Sequence, residues 1–187
     1  MSRKNNWLLG FAGAGDSKRV SELLEQGAEI NRIAGDLSPL LCAVAGGHFE
    51  TVTLLVNKGA DVNQPNCAGA TPLMLAALNG RGDLAAYLIS RGAKVNAKHR
   101  DRPPALIWAA YNGHTKVVKL LLQHGSDVNA EDCYGNTALA IAKSEGLRNL
   151  VRLLRREGAR EPSATIAKKS SSVFSLQGGL PTLGKRR

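Results

Sequence analysis

The sequence predicts an all-α solenoid, made of five helix–turn–helix units with protruding β-turn fingers and followed by a disordered C-terminal tail. The first observation is a repeated motif, Gly-Ala-x-x-Asn, which starts at Gly27, Gly59 and Gly92 at intervals of 32 or 33 residues. The second is a set of aligned columns that keep the same spacing through five copies. These columns are Leu8, Leu40, Leu73, Leu106 and Leu139; Leu23, Leu55, Leu88, Leu121 and Leu154; and Gly15, Gly47, Gly80, Gly113 and Gly146. A fixed period of this length is the signature of a repeat architecture.

The columns divide residues 1–160 into units of about 5–37, 38–70, 71–103, 104–136 and 137–160. Each turn tip lies at the end of one range but is numbered with the helix pair that follows it, so the tip at residues 66–70 is that of unit three. Within the third unit, Leu73 and Ala77 have helical spacing, and so do Leu84 and Leu88 after a glycine. The preceding Thr71 is typical of a helix N-cap, and the proline that follows it suits a first helical position. Gly80 is expected to end the first helix of this unit, and Gly92 is expected to end the second. Each unit is therefore predicted to be a helix pair with a polar, extended turn.

The first unit departs from this pattern, because Asn6-Trp7 stands where the other units have a Ser/Thr-Pro start or its equivalent. Basic residues at Arg3 and Lys4 precede an apolar stretch, which is a pattern also seen in secretory signals. The stretch lies in register with the repeat, which favours a structural role over a targeting signal. We expect this unit to be the N-terminal cap and the least stable of the five.

The turns of the second and fourth units are predicted to be irregular. The turn of unit two is one residue shorter than the others. In unit four, Arg102 occupies the place of the usual turn glycine and is followed by Pro103 and Pro104. With a side chain at the glycine position and two prolines after it, this turn cannot adopt the standard conformation without strain. Trp108 replaces a core leucine in the same unit and is interpreted as a core residue.

The last unit carries charges where the others are apolar. Arg155 occupies a column that holds Leu24, Val56, Ile89 and Leu122 in the other units. Lys143 likewise occupies a column that is otherwise small or apolar. A unit without a further neighbour needs a hydrated face. The stack is therefore predicted to end here. Residues 161–187 contain five Ser, three Gly and five basic residues, which indicates a disordered basic tail.

These motifs resemble the ankyrin repeat family over roughly residues 5–160. The resemblance rests on the segment from Thr71 to Ala77, the segment from Gly113 to Leu122, and the Gly-Ala-Asp-Val-Asn copies. It implies an elongated stack that binds another protein through a concave face formed by the turn tips and first helices. Residues at the family's binding positions are Leu78, Asn79, Arg100, Asp101, Arg102, Pro103, Tyr111, Asn112, Tyr134, Asn136 and Ser144. Within that set, the tyrosines and arginines of units four and five are predicted to anchor the interface.

Composition excludes several other classes. No run of apolar residues reaches the roughly 18 needed to span a bilayer. The three cysteines are spread singly, which fits a reducing compartment and predicts a cytoplasmic location, or a nuclear one in a eukaryote. Neither zinc-ligand spacing nor a Walker loop is present, and the carboxylates are scattered, so no metal, cofactor or small-molecule substrate is expected. His48 and His114 are expected to form local hydrogen bonds. The chain is predicted to be a monomeric, non-enzymatic adaptor, inhibitor or recruiting subunit.

The alternative function is electrostatic. The formal net charge is +10, from 25 Lys and Arg against 15 Asp and Glu. A basic group on the last helix and tail comprises Arg148, Arg152, Arg155, Arg156, Lys168 and Lys169. Such a line of charges is usually a solvated capping face, but it also suits nucleic acid or an anionic membrane. The stacking aromatics typical of nucleic-acid binding are not evident.

Overall fold

The computed structural model describes residues 3–99 and 102–161, and within them it contains ten α-helices and no strand. The helices form five pairs, one in each predicted unit. Their bounds are α1 (Arg3–Ala14), α2 (Ser17–Glu25), α3 (Pro39–Gly46), α4 (Phe49–Asn57), α5 (Pro72–Leu78), α6 (Gly82–Ser90), α7 (Ala105–Tyr111), α8 (Thr115–Gln123), α9 (Ala138–Ser144) and α10 (Arg148–Arg156). The predicted all-α solenoid is confirmed. The tail, apart from Glu161, lies outside the described residues.

The helices begin next to the N-cap residues that the sequence indicates. The amide of Met74 donates to the Thr71 hydroxyl at 3.3 Å, and Pro72 is the first residue of α5. Ser38 and Thr137 cap α3 and α9 in the same way. Such a cap satisfies one of the amide groups that a helix start leaves unbonded. In unit four a proline precedes α7, so this helix has no side-chain cap.

The helices lie in two layers. The first helices of the units form one layer and the second helices form the other, and each layer follows the order of the chain. Neighbouring first helices contact one another more extensively than neighbouring second helices do. This closer approach is permitted by small residues, such as Ala76, Ala77, Ala109 and Ala110, which are fully buried between them. The first-helix layer is therefore the more closely packed of the two.

The core runs without interruption through all five units. The two leucine columns point into it, and no member is more than 6% exposed. Trp108 is also buried, which confirms its interpretation as a core residue. Burial of this apolar surface is the main stabilising contribution, because each unit alone could cover only part of it.

Two histidines join neighbouring units. His48 donates from Nε2 to the carbonyl oxygen of Gly13 at 2.9 Å. His114 donates in the same way to Leu78 at 3.0 Å. Both bonds run from the start of a second helix to the end of the preceding unit's first helix. The expected local hydrogen-bonding role of these histidines is confirmed.

The same position in the other units uses different chemistry. Arg81 donates from Nη2 to the carbonyl oxygen of Gly47 at 2.6 Å. Leu147 instead packs its methyl groups over Gly113. The position therefore always covers the end of the preceding first helix, by a polar or an apolar contact.

A ladder of asparagines connects the turns. Asn63 donates from Nδ2 to the carbonyl oxygen of Gly92 at 3.0 Å and accepts from the amide of Lys94 at 2.8 Å. The Oδ1 atoms of the equivalent residues accept an amide of the following unit or, at the last one, of the segment after α10; these residues are Asn31, Asn96 and Asn129. Each side chain thus satisfies backbone groups of its successor. The ladder ties the polar edge of the stack together, as the leucines tie its core.

The first unit begins earlier than its repeat alone indicates. Its first helix starts at Arg3 and is the longest described, at 12 residues. Leu8 and Ala12, from the apolar stretch, are fully buried in the core. Asn5 is also buried, and its Oδ1 accepts the amide of Glu29 at 3.1 Å. In the described part of the chain, none of the helices combines the length and apolar character needed to cross a membrane.

Candidate protein-binding surface

The turn tips, or fingers, have two shapes. In unit three, Oδ1 of Asn66 accepts the amide of Ala70 at 2.8 Å and closes a five-residue loop. Residues 132–136 of unit five form the same loop, closed by Asp132. In units two and four, the antiparallel bridge instead joins residues only three positions apart, Ala34 with Leu37 and His99 with Arg102. The prediction that units two and four have irregular tips is therefore confirmed.

The finger of unit four leans on the finger of unit three. Arg102 donates from Nε to the carbonyl oxygen of Ala68 at 3.0 Å. The ring of His99 covers Gly69 so closely that a Cβ there would lie 2.1 Å from it. Among the described residues, only glycines have a positive φ, so Arg102 replaces the turn glycine without entering the strained region. Its side chain is half-buried by this contact rather than extended into solvent.

A polar network joins units four and five. Asp132 is only 8% exposed, yet its carboxylate accepts four hydrogen bonds. The donors are the hydroxyl of Tyr111, the amides of Tyr134 and Asn136, and the Asn136 side chain. A buried carboxylate needs such donors to offset the loss of water. Burial, together with the negative charge of Asp132, raises the pKa of Tyr111 to about 12.

The network fixes the backbone of Tyr134, while more than half of the residue remains exposed. The amide of Tyr134 donates to Oδ1 of Asp132 at 2.9 Å, and the residue is 54% exposed. The structure therefore brings together three of the sequence-predicted residues, Tyr111, Tyr134 and Asn136. The buried acid that holds them was not predicted. Its only sequence signal is its position: it aligns with Asn66, the residue that closes the finger of unit three.

The other predicted contact residues are placed as follows. Asn79 and Asn112 are exposed at the ends of α5 and α7. Leu78 is half-buried, and Ser144 bonds to its own helix through the carbonyl of Ile141. Pro103 is buried at the base of the finger, where it shapes the turn and offers no contact surface. Arg100 and Asp101 lie outside the described residues.

The basic group of α10 is divided into paired and unpaired members. Arg155 pairs with Glu161 at 3.1 Å, and Arg156 pairs with its neighbour Glu157. Arg148 and Arg152 make no ion pair with a described carboxylate. Only part of the predicted basic line therefore remains uncompensated. Lys168 and Lys169 lie outside the described residues.

Glu161 closes the end of the stack. Its carboxylate binds Lys143 of α9 and Arg155 of α10, the two charged residues that replace apolar ones in the last unit. Hydrogen bonds from Lys143 and then from Arg155, together with the charges of both residues, lower the pKa of this carboxyl group. The acid thus joins the two helices of the cap from outside.

The remaining titratable groups form no cluster. Over residues 3–99 and 102–161, no three His, Cys, Asp or Glu side chains come together as metal ligands would. Cys42 is buried, and burial raises the pKa of its thiol to about 11. Cys67 and Cys133 are exposed on the fingers of units three and five.

Comparison with known proteins agrees with this architecture. The chain is 43% identical over 67 residues to the protein named Probable E3 ubiquitin-protein ligase XBOS33 from Oryza sativa subsp. japonica. The match covers 34% of this chain but only 13% of that protein. The family model described as Ankyrin repeats (3 copies) matches residues 8–99 and 97–165. Ankyrin repeats are generally protein–protein interaction modules. By its repeats, its helix pairs and this match, the chain belongs to the ankyrin repeat family.

Proposed function

We propose that this chain is a non-enzymatic recognition module that binds a partner protein through the finger tips and first-helix face of units three to five. The observation that carries the proposal is Tyr134. This residue is 54% exposed, while its backbone is held by the buried carboxylate of Asp132. A residue whose backbone is already held in place loses less conformational entropy when a partner covers its side chain.

The surroundings of Tyr134 also suit an interface. Tyr111 stands at the end of α7 and is joined to the same carboxylate. Tyrosine and arginine are the residues that most often dominate binding energy, and they act best at the centre of a shaped surface. The leaning finger of unit four supplies Arg102 beside unit three. Together, Tyr111, Tyr134 and Arg102 support a protein-binding surface that includes fingers of two different shapes.

Capture of a partner, followed by one substitution, tests this proposal. The full chain is used as bait in native lysate at low and high salt, and bound proteins are identified by mass spectrometry. Affinity for the salt-resistant partner is then measured for Tyr134→Ala and for Trp7→Ala. The second variant is the matched control, because Trp7 is a similarly exposed aromatic, on α1 of unit one.

Tyr134→Ala should weaken the complex by roughly 30-fold or more, as expected for an interface anchor, while Trp7→Ala leaves it within about twofold. Equal affinity of Tyr134→Ala and the parent chain would contradict the proposed anchor. If the control variant lost the partner as well, the effect would not be specific to Tyr134, and this too would contradict the proposed anchor.

The second candidate function is electrostatic binding of nucleic acid or an anionic membrane. It is favoured by Arg148 and Arg152, which have no carboxylate partner in the described part of the chain. Binding of this kind releases counterions, so the affinity for single-stranded DNA should fall steeply with salt. Vesicles containing phosphatidylserine test the membrane version in the same way. Affinities that do not change with salt would exclude both versions.

A further inference from the structure

The glycine that ends each first helix is a stacking position. In the first four units, a side chain of the following unit covers it: His48 over Gly15, Arg81 over Gly47, His114 over Gly80 and Leu147 over Gly113. At Gly146 of unit five, no described atom lies within 4 Å of where a Cβ would stand. The last unit thus presents the same position with no residue from the described chain over it.

A groove surrounds this uncovered glycine. Its volume is about 650 Å³, and its lining residues are Ala142, Lys143, Gly146, Arg148, Val151 and Arg152. In unit four the valine equivalent to Val151 is Val118, which is fully buried because unit five covers it. Val151 is only half-buried. The groove therefore keeps the apolar floor of a stacking surface while its rim carries three cations.

The charges of the rim indicate which ligand fits. Lys143 already binds one carboxylate, that of Glu161, which shows that this end of the stack accepts acids. Arg148 and Arg152 have none within the described residues. Glu145, the acid closest in sequence to the glycine, is exposed and does not line the groove. An acidic ligand is complementary to this rim, and a basic one is repelled.

We propose that the groove at the end of unit five binds an acidic segment of a partner protein. A leucine-sized side chain of the segment covers Gly146, and flanking carboxylates pair with Arg148 and Arg152. The preceding unit sets the size of the apolar side chain, because both Cδ atoms of Leu147 lie 3.7 Å from the Cβ position of Gly113. This surface is separate from the finger surface of the proposed function, so either can fail alone.

Four other occupants fit the groove less well. Residues 162–187 contain five basic residues and no acid, so they carry the same charge as the rim. A second copy of the chain brings a net charge of +10 to a basic surface. Nucleic acid and lipid headgroups match the charge, but they have no aliphatic side chain to place over a glycine on an apolar floor.

The test uses the full chain and a synthetic fluorescein-labelled peptide, Gly-Glu-Asp-Leu-Glu-Glu-Gly, with binding followed by fluorescence anisotropy. The double variant Arg148→Glu/Arg152→Glu reverses the charge of two of the three cations of the rim. The matched control is Arg156→Glu/Arg160→Glu, which changes the net charge by the same amount at exposed residues outside the groove. A second peptide with glycine in place of leucine tests the apolar contact.

We expect the rim variant to weaken peptide binding roughly tenfold and the control variant to weaken it by about twofold or less. Loss of the leucine should also weaken binding, by roughly tenfold. Equal weakening by the two double variants would overturn the proposal, and so would equal affinity of the two peptides. No binding up to about 1 mM peptide would overturn it as well.

The competing occupants give distinct results, each of which overturns the proposal. Single-stranded DNA or phosphatidylserine vesicles that bind more tightly than the peptide, with the same dependence on Arg148 and Arg152, identify an electrostatic surface. Displacement of the labelled peptide by a synthetic peptide of residues 162–187 identifies the tail. A dimer seen in sedimentation that is lost in the rim variant identifies a second copy.

Discussion

The hydroxyl of Tyr111 donates a hydrogen bond of 3.2 Å to Oδ2 of Asp132, and this bond ties the last residue of α7 to the finger of unit five. The two residues are 21 positions apart and belong to different units. The interaction therefore stabilises a junction between repeats, in addition to the local turn. It also determines the shape of the surface on which Tyr134 is displayed.

Replacing Tyr111 by phenylalanine tests this junction. Tyr111→Phe removes one donor from a buried carboxylate and keeps the aromatic ring, so we expect a loss of about 1–2 kcal/mol in the free energy of unfolding. Urea denaturation measures the change. The matched control is Tyr87→Phe, because the hydroxyl of Tyr87 accepts a hydrogen bond of 3.2 Å from Arg91 at the exposed surface, and this change should cost no more than about 0.5 kcal/mol. Equal stability of Tyr111→Phe and the parent would show that the bond does not contribute.

The same residue predicts a dependence on alkaline pH. The folded-state pKa of Tyr111 is raised to about 12, above its ordinary value of 10, so folding favours the neutral phenol. This contribution is complete below pH 10 and is lost as the pH rises toward 12. The stability difference between the parent and Tyr111→Phe should therefore shrink between pH 9 and pH 11.5. A difference that stays constant over this range would contradict the raised pKa.

The fold could be predicted because its determinants repeat. Leu73 and its equivalents recur every 32 or 33 residues, so an error of interpretation in one unit is corrected by the other four. The helix starts were predictable for a local reason, since Thr71 and Pro72 act within a single turn of helix. Even the charged end of the stack could be recognised, because Arg155 interrupts an otherwise apolar column.

The details of the candidate surface were harder to predict, because they depend on side-chain reach between units. Asp132 looks like an ordinary turn residue in the sequence, and only the folded chain places it beneath Tyr111. Glu161 lies just beyond the last repeat, where periodicity gives no information, yet it binds both helices of the cap. Leu147 is an apolar residue without a motif to mark it, although it covers Gly113 as His114 covers Gly80.

The asparagine ladder predicts a second stability effect. Asn63→Ala removes two hydrogen bonds to backbone groups of the next unit, at Gly92 and Lys94. We expect a loss of about 1–2 kcal/mol, measured by the midpoint of urea denaturation. Asn6→Ala is the control, since Asn6 is exposed on α1, and it should stay within about 0.5 kcal/mol of the parent. Similar losses in the two variants would argue against bonding between units.

The thiols are expected to react in two classes. Cys67 and Cys133 are exposed, whereas Cys42 is buried and its pKa is raised to about 11, so little of its reactive thiolate forms near neutral pH. A disulfide reagent such as dithionitrobenzoate should therefore modify two thiols rapidly and the third only on unfolding. In Cys42→Ala the rapid class should remain at two. Three rapid thiols in the folded parent would show that the core around α3 opens readily.

Two glycines with the same backbone angle separate strain from steric conflict. Gly80 and Gly146 both have a φ of +67°, so alanine at either position should cost about 1–2 kcal/mol for the left-handed conformation. At Gly80 a Cβ would also lie 2.6 Å from the ring of His114, which must move and weaken its bond to Leu78. At Gly146 the Cβ meets no described atom.

We therefore expect Gly80→Ala to be more destabilising than Gly146→Ala, by about 1–2 kcal/mol in urea denaturation. The backbone contribution cancels in this comparison, so the difference reports the cover supplied by the next unit. Adding His114→Ala to both variants should reduce the difference, because the clash and the bond are then absent from each. If the two glycine variants were equally stable, the side chain of His114 would contribute nothing to stability at Gly80. The open position at Gly146 would then no longer indicate a missing stabilising contact.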